Sequence, residues 1–188
     1  MHMTARLTVG SKAPAFTVPD VMGKKISLSN YAGKNVLVVF LRYAGCPWCN
    51  LAIHRLAMEY PLLAEQGCEV IAFVQSDQQA IMVNIYERHA RTPAFPIIAD
   101  SGRKIYGKYG IQLSVIAAAK SITNIPSWVH AVKDHGFKQT KLDGKFFLVP
   151  AWFLIDGDSK KILKAHYGSS FYEHETFTEI YEKLTFTG

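Results

Sequence analysis

The apolar positions of the chain change period several times, and each change marks a new element. Residues 36–41 (VLVVFL) are an uninterrupted apolar run, as expected of a central strand covered on both faces. From Pro47 the spacing turns helical: Leu51, His54, Arg55, Met58 and Leu62 recur along one side, and Leu56, Ala57 and Leu63 broaden it. Pro61 is expected to bend that helix or make it restart, because it donates no hydrogen bond and clashes with the preceding turn. Residues 68–74 (CEVIAFV) read as a strand, 77–90 as a helix with Asp77 placed to cap it, and 93–100 as a third strand closed by the turn DSGRK. Ahead of them, residues 12–18 form an entry segment and a short strand lies around 26–28. Strand, helix, strand, helix, strand is the alternation of a parallel α/β sheet.

The end of the chain follows another rule. Residues 146–168 hold two apolar strands around the turn Asp156-Gly157-Asp158, hence an antiparallel hairpin, and 171–184 read as a short helix with Phe177, Ile180, Tyr181 and Leu184 along one face. In between, the pattern loosens. A helix over 113–122, a second over 127–134 after Pro126, and the polar, turn-rich 135–145 make an insertion of about 111–145, expected to pack on the core and shape or cover the site.

Composition narrows the class. The 188 residues, 49% of them hydrophobic, suit one domain spanning 1–188 with a large core. Lys and Arg exceed Asp and Glu by 21 to 15, a charge of +6, but the basic residues are scattered and match no nucleic-acid signature, so no nucleic-acid role is expected. The first residues lack an apolar run of signal-peptide length, and nowhere do 18 apolar residues follow one another, so no membrane association is expected. A cytoplasmic location is the simplest expectation, and there close cysteine pairs are catalytic or metal-binding. Three cysteines are too few for a disulfide scaffold.

The candidate chemistry sits where the first strand gives way to the first helix, at Cys46-Pro47-Trp48-Cys49. With Cys46 at the N-cap and Pro47 at N1, a missing amide hydrogen costs nothing, and the Cys49 amide at N3 can point back at the Cys46 sulfur. Free amides and the positive helix end favour a thiolate, so the Cys46 pKa should fall, giving both a nucleophile and a leaving group. The spacing lets Cys49 close a small disulfide. Four readings compete: a redox pair, half of a zinc site, an iron–sulfur site, and two inert buried thiols. A structural zinc wants about four ligands, and no second CxxC exists to supply them, so neither metal nor organic cofactor is expected. Arg42 ends an apolar strand with a charge that must reach solvent or a partner, and it could add positive potential at the pair. Trp48, inside the motif, is expected to be exposed as a docking surface. Cys68 reads as a small hydrophobe at a strand start and His54 as a helix-face residue. Pro150, opening the strand AWFLID, would hold the peptide before it in a fixed direction.

In this order, the stretches VGSKAPAF, ISLSNYAGKNVLVVFLRYAGCPWCN, FPIIADSGRKIYGKYGI and VPAWFLIDGDSKKIL resemble the thioredoxin superfamily, and more closely its peroxiredoxin-like AhpC/TSA branch. The resemblance implies a thioredoxin fold, a central mixed sheet flanked by helices, with an N-terminal extension and a helical insertion before the final hairpin. It also implies that Pro150 is a cis-proline opposite the active-site helix. Typical peroxiredoxins carry Thr or Ser three residues before the peroxidatic cysteine and Pro four residues before that. With Cys49 in the peroxidatic place, those positions hold Cys46 and Arg42. The implied activity is a thiol-dependent oxidoreductase in which Cys46 and Cys49 reduce a disulfide or peroxide and a thioredoxin- or glutathione-type thiol reductant reopens the pair. A peroxidase acting through Cys49, or a redox-sensitive binding module without turnover, are the alternatives. Physical placement favours Cys46, the N-cap residue with an exposed, amide-stabilised sulfur, as the first to attack, and a homodimer is left open.

Overall fold

In the computed structural model, which describes residues 5–122 and 125–171, the apolar run becomes strand β3 (Asn35–Phe40) at the centre of a five-stranded sheet. The sheet order is β5 (Ile97–Ala99), β4 (Cys68–Val74), β3, β6 (Ala151–Asp156), β7 (Ile162–Tyr167). β3 pairs in parallel with β4, from Asn35 opposite Cys68 to Phe40 opposite Phe73, and antiparallel with β6. A separate antiparallel pair, β1 (Thr17–Pro19) and β2 (Lys25–Ser27), forms the N-terminal extension. The result is the thioredoxin fold with its central mixed sheet. The bonds continue past the end of β3, where the Leu41 amide donates to the Phe73 carbonyl and the Gln75 amide to the Arg42 carbonyl.

An unbroken apolar run is needed at β3 because both of its faces are buried. Leu37, Val39 and Leu41 enter one core with helix α1 (Pro47–Glu65), while Val36, Val38 and Phe40 enter a second core on the opposite face, with Phe16, Tyr106, Tyr109 and Phe153. The period of two along a strand divides its side chains between two layers. Helix α1 lays Cys49, Ala52, Ile53, Leu56 and Leu63 against the sheet. Met58 and Leu62, expected on that face, are about half exposed. The rotation follows from Cys49, which is buried at the helix start and carries positions four, seven and fourteen residues on to the same side.

α1 continues through Pro61 as one helix and does not restart there, its buried side carried on by Leu63. One further expectation is corrected. The helix expected over 77–90 is a short α2 (Gln78–Ile81), capped by the Asp77 carboxylate on the Ala80 amide, that passes into a π-helical turn over Met82–Tyr86. The Asn84 side chain donates to the Ala80 carbonyl, the acceptor that an α-helix would reserve for the Asn84 amide, and such an intrusion opens the i→i−4 ladder. α3 (Lys104–Lys108) follows the turn after β5. The insertion holds α4 (Val115–Ile122) and α5 (Ile125–Val129), the latter running into a second π-helical turn over His130–Asp134. Among the described residues it adds no strand to the five-stranded sheet, touching the strand region through an isolated bridge between Leu113 and Leu148. The terminal helix expected over 171–184 lies, beyond Phe171, outside the described residues.

The side chain of Pro61 is exposed, so a replacement there tests the helix backbone with little change in packing. Pro61→Ala restores a donor and relieves the ring clash, less a loss of rigidity in the unfolded chain. Thermal unfolding should show the variant more stable by about 1–2 kcal/mol, a Tm several degrees higher.

Candidate active site

The sheet ends in the segment that carries the chemistry. Cys46 caps α1 from an extended conformation, Pro47 occupies the first helical turn, and Cys49 follows at N3, as the spacing required. No full capping hydrogen bond reaches the Cys46 sulfur, but the amides of Cys49 and Trp48 act on it. All three cysteines are free thiols. Cys46 and Cys49 are each 1% exposed, which corrects the expectation of an exposed Cys46. The insertion covers it, a contact between distant segments that the pattern along the chain cannot reveal.

Arg42 finds a partner, and the partner is the site. The guanidinium is buried, with Nη1 3.5 Å from Cys46 Sγ and Nη2 donating to the Phe146 carbonyl at 2.7 Å. Its Cζ stands 3.5 Å from the centroid of the Phe171 ring, with Tyr43 and Phe146 at 5.2 and 5.3 Å. Aromatic faces stabilise a desolvated cation. Among the described residues no carboxylate pairs with it. Among the described residues, the thiol that it touches is that of Cys46.

These surroundings divide the two sulfurs. Burial pushes the Cys46 thiol up, yet the Cys49 thiol donating to it, the Arg42 charge and the two amides outweigh burial and bring its pKa down to about 7. Cys49 moves the opposite way, raised well above the ordinary thiol value by burial and by its bond and charge interaction with Cys46. The same burial thus acts on two sulfurs whose neighbours drive their pKa values apart. Cys68, buried at the first position of β4, has its thiol pushed up to about 12, chiefly by burial, and behaves as the small hydrophobe its position suggested.

Trp48 is half-buried, packed against Ala117, Val149 and Phe171, rather than exposed as expected. α4 and the chain around Phe171 supply the cover. Pro150 is also corrected. Among the described residues no peptide bond is cis, so the bond after Val149 is trans, the intrinsically preferred isomer. Pro150 leads into β6, and its carbonyl accepts the Gly168 amide at 2.9 Å, which extends the β6–β7 pairing by one step. His54 lies on the helix face, 4.9 Å from the His135 ring and 6.4 Å from His89.

Two residues that the sequence did not single out hold the loop from behind. Asn50, fully buried, donates through Nδ2 to the Ala44 carbonyl at 2.7 Å and the Cys46 carbonyl at 3.0 Å, and its Oδ1 lies 2.8 Å from His89 Nε2. His89 stacks on Phe137, with its Nδ1 buried and without a hydrogen-bond partner. Asn50 directly follows the motif, and its polarity on a face that must be buried was the available signal. His89 gave none.

A thioredoxin fold with a polarised cysteine pair at the start of its first long helix defines a thiol redox protein. Residues 9–162 match the model of the AhpC/TSA family, so the chain belongs to that family and its chemistry is thiol-based redox chemistry. Over 108 residues, 56% of this chain, it is 33% identical to the thiol-disulfide oxidoreductase ResA of Bacillus thuringiensis, of which the match spans 60%. Among solved structures it is similar in fold to the peroxidoxin BcpB of Mycobacterium tuberculosis, with TM-score 0.69, 15% identity and 97% and 99% of the two chains covered. The thioredoxin domain of a thiol-disulfide oxidoreductase of Bacteroides vulgatus aligns with TM-score 0.59 and 21% identity over 95% of this chain and 99% of that one.

Burial, and then the charges of His54 and Arg88, lower the His89 pKa from 6.5 to about 4. The folded chain therefore keeps His89 neutral where the unfolded chain takes up a proton. The stability this contributes is complete above about pH 6.5 and is lost as pH falls toward 4, on the order of 2–3 kcal/mol. Denaturant unfolding of the wild type should show that loss, and His89→Phe should have a visibly flatter profile over the same window.

Proposed function

We propose that the protein is a cytoplasmic thiol–disulfide oxidoreductase in which Cys46 is the attacking sulfur and Cys49 the resolving one. The observation that carries the reading is the position of Arg42, whose Nη1 lies 3.5 Å from Cys46 Sγ, and it is supported by the burial that raises the Cys49 thiol pKa. With a disulfide substrate RSSR′, the Cys46 thiolate attacks one sulfur, forms a mixed disulfide and expels R′S⁻. Cys49 then gives up its proton and attacks Cys46 Sγ, which closes the Cys46–Cys49 bond and expels RS⁻. With a hydroperoxide, the thiolate attacks the terminal oxygen, the O–O bond breaks, and the alkoxide leaves as the alcohol after taking a proton. The resulting Cys46 sulfenic acid condenses with the Cys49 thiol and releases water. Arg42 stabilises the thiolate before the attack and polarises the bond being broken. Two molecules of a small thiol, leaving as their disulfide, or one thioredoxin-type dithiol, closing its own disulfide, supply the two electrons that reopen the pair.

The resemblance to the peroxiredoxins offers Cys49 as the peroxidatic sulfur instead, and the physical evidence weighs against it. A thiol raised well above its ordinary pKa holds little thiolate near neutrality.

Alkylation of the reduced protein, followed by peptide mapping, should label Cys46 well before Cys49, with a rate that rises through about pH 7. First labelling at Cys49, together with a sulfenic acid trapped there in Cys46→Ser, would reverse the order. Arg42→Met removes the charge beside the sulfur and should raise the Cys46 pKa by about one unit, slowing its reaction below neutrality about tenfold. A disulfide that forms but turns over neither small disulfides nor peroxides would mark a binding module rather than an enzyme.

A further inference from the structure

Two sulfurs as deeply buried as Cys46 and Cys49 cannot meet a large substrate unless what covers them moves. The cover has a definite construction. Residues 139–147, the end of the insertion, cross the active-site loop and are tied down at successive points. Tyr43 Oη donates to Gln139 Oε1 at 3.0 Å, and the Thr140 amide donates to the Gly45 carbonyl at 3.2 Å. Ser76 Oγ accepts the Ala44 amide and donates to Asp143 Oδ1 at 3.0 Å. Gln75 grips Lys145 by both backbone groups, Nε2 to the carbonyl at 3.0 Å and Oε1 from the amide at 2.9 Å. Arg42 holds the Phe146 carbonyl, as described.

Two glycines show how closely the segment lies. A Cβ on Gly45, the residue before Cys46, would overlap the Thr140 hydroxyl and crowd the Lys141 carbonyl. A Cβ on Gly144 would stand 2.7 Å from the Gln75 side chain. The contact surfaces therefore leave no slack at either point. Tyr43, Gln75 and Ser76 lie just past the ends of β3 and β4, whereas residues 139–147 have no helix or strand of their own. Apart from the Thr140–Gly45 backbone bond, the tethers just described run through side chains, and the strap opens more readily when they are lost.

We infer that residues 139–147 are a strap that sets the size of molecule admitted to Cys46, and that Gln75, which clamps Lys145, is a specificity-determining residue. The strap admits hydroperoxides and small thiols or disulfides, and it delays a disulfide held in a folded protein until the tethers open. This deepens the proposed function, since it takes Cys46 as the attacking sulfur. It does not require turnover. Gln75 is buried and touches neither sulfur in the hydrogen bonds of the site, so its replacement leaves the cysteine chemistry in place.

The test compares two thiol reagents of the same chemistry and different size, N-ethylmaleimide and a maleimide carrying a polyethylene glycol chain of several kilodaltons. Each is applied to the reduced full chain, with labelling mapped by peptide and rates referred to those on glutathione. In the wild type, Cys46 should react with the small reagent far faster than with the large one. In Gln75→Ala the loss of two hydrogen bonds makes strap opening about tenfold more frequent, so the large reagent gains about tenfold and the small one changes little. Asp143→Ala, which cuts a different tether without touching β4, should act in the same direction. Cys68, buried at the start of β4, the end away from the active-site loop, reports global unfolding and should stay unlabelled throughout. Equal preference for the two reagents in the wild type overturns the inference. So does an unchanged ratio in both variants, or a gain matched by labelling of Cys68. If the filter holds but no disulfide or peroxide is turned over, the proposed function fails and the strap stands.

Discussion

A buried positive charge that no carboxylate among the described residues pairs with is the constraint around which this site is built. Placing a guanidinium where it is 1% exposed costs several kcal/mol unless charge and hydrogen bonds replace its water. Arg42 is given three aromatic faces, one backbone carbonyl and one sulfur. The Cys49 thiol donating to that sulfur, and next the Arg42 charge, lower the Cys46 pKa against the effect of burial. The contact that helps to settle the buried cation is thus one of those that favour the charged sulfur. Cys49 shares the low-dielectric surroundings without the direct guanidinium contact, and burial there acts in its ordinary sense and keeps the proton on.

The same cation links the sheet to the insertion. Arg42 lies just past β3, and its second nitrogen binds the carbonyl of Phe146, more than a hundred residues on. Around that bond, Gln75, Ser76 and Tyr43 repeat the pattern, each reaching from a sheet end to the insertion's last segment. On the other side, Asn50, itself bonded to His89, holds the carbonyls of Ala44 and Cys46. The active-site loop is thus fixed from both faces by polar contacts inside an apolar setting, where such bonds are stronger than in water and costly to leave half made. A thioredoxin fold supplies the strand-to-helix junction, and the insertion decides what reaches it.

How much of this could be read along the chain follows from the range of each interaction. The run at 36–41 had to be a central strand, because an unbroken apolar segment that short fits only a strand buried on both faces. The N-cap place of Cys46 and the N1 place of Pro47 follow from helix geometry over four residues, and so does the direction of the Cys46 pKa. The hairpin at Asp156-Gly157-Asp158 and the Asp77 cap are equally local. Local rules misjudged the run over 77–90, where a single side chain, Asn84, competes for a backbone carbonyl and turns an α-helix into a π turn. They also gave Met58 and Leu62 to the wrong side of α1, since period alone does not say which stripe of a broad apolar face meets the sheet.

Contacts between distant segments decided the rest. Exposure of Trp48 depends on Ala117, Val149 and Phe171 coming together against it, and that of Cys46 on residues 139–147 crossing the loop beside it, and no spacing records either. The partner of Arg42 had to exist, because a strand-ending charge needs one, but its identity as Cys46 and Phe146 is a property of the packed chain. The Val149–Pro150 bond is trans, although the family resemblance implied cis, because an isomer is selected by the pairing around it and not by the proline alone. The sequence by itself determined the central strand, the cysteine pair at the helix start and the sense in which its first sulfur is activated, all effects that act within a few residues. Only the tertiary structure decided which charge completes that activation and what stands over it, because burial and charge pairing are set by whatever the fold brings within a few ångströms.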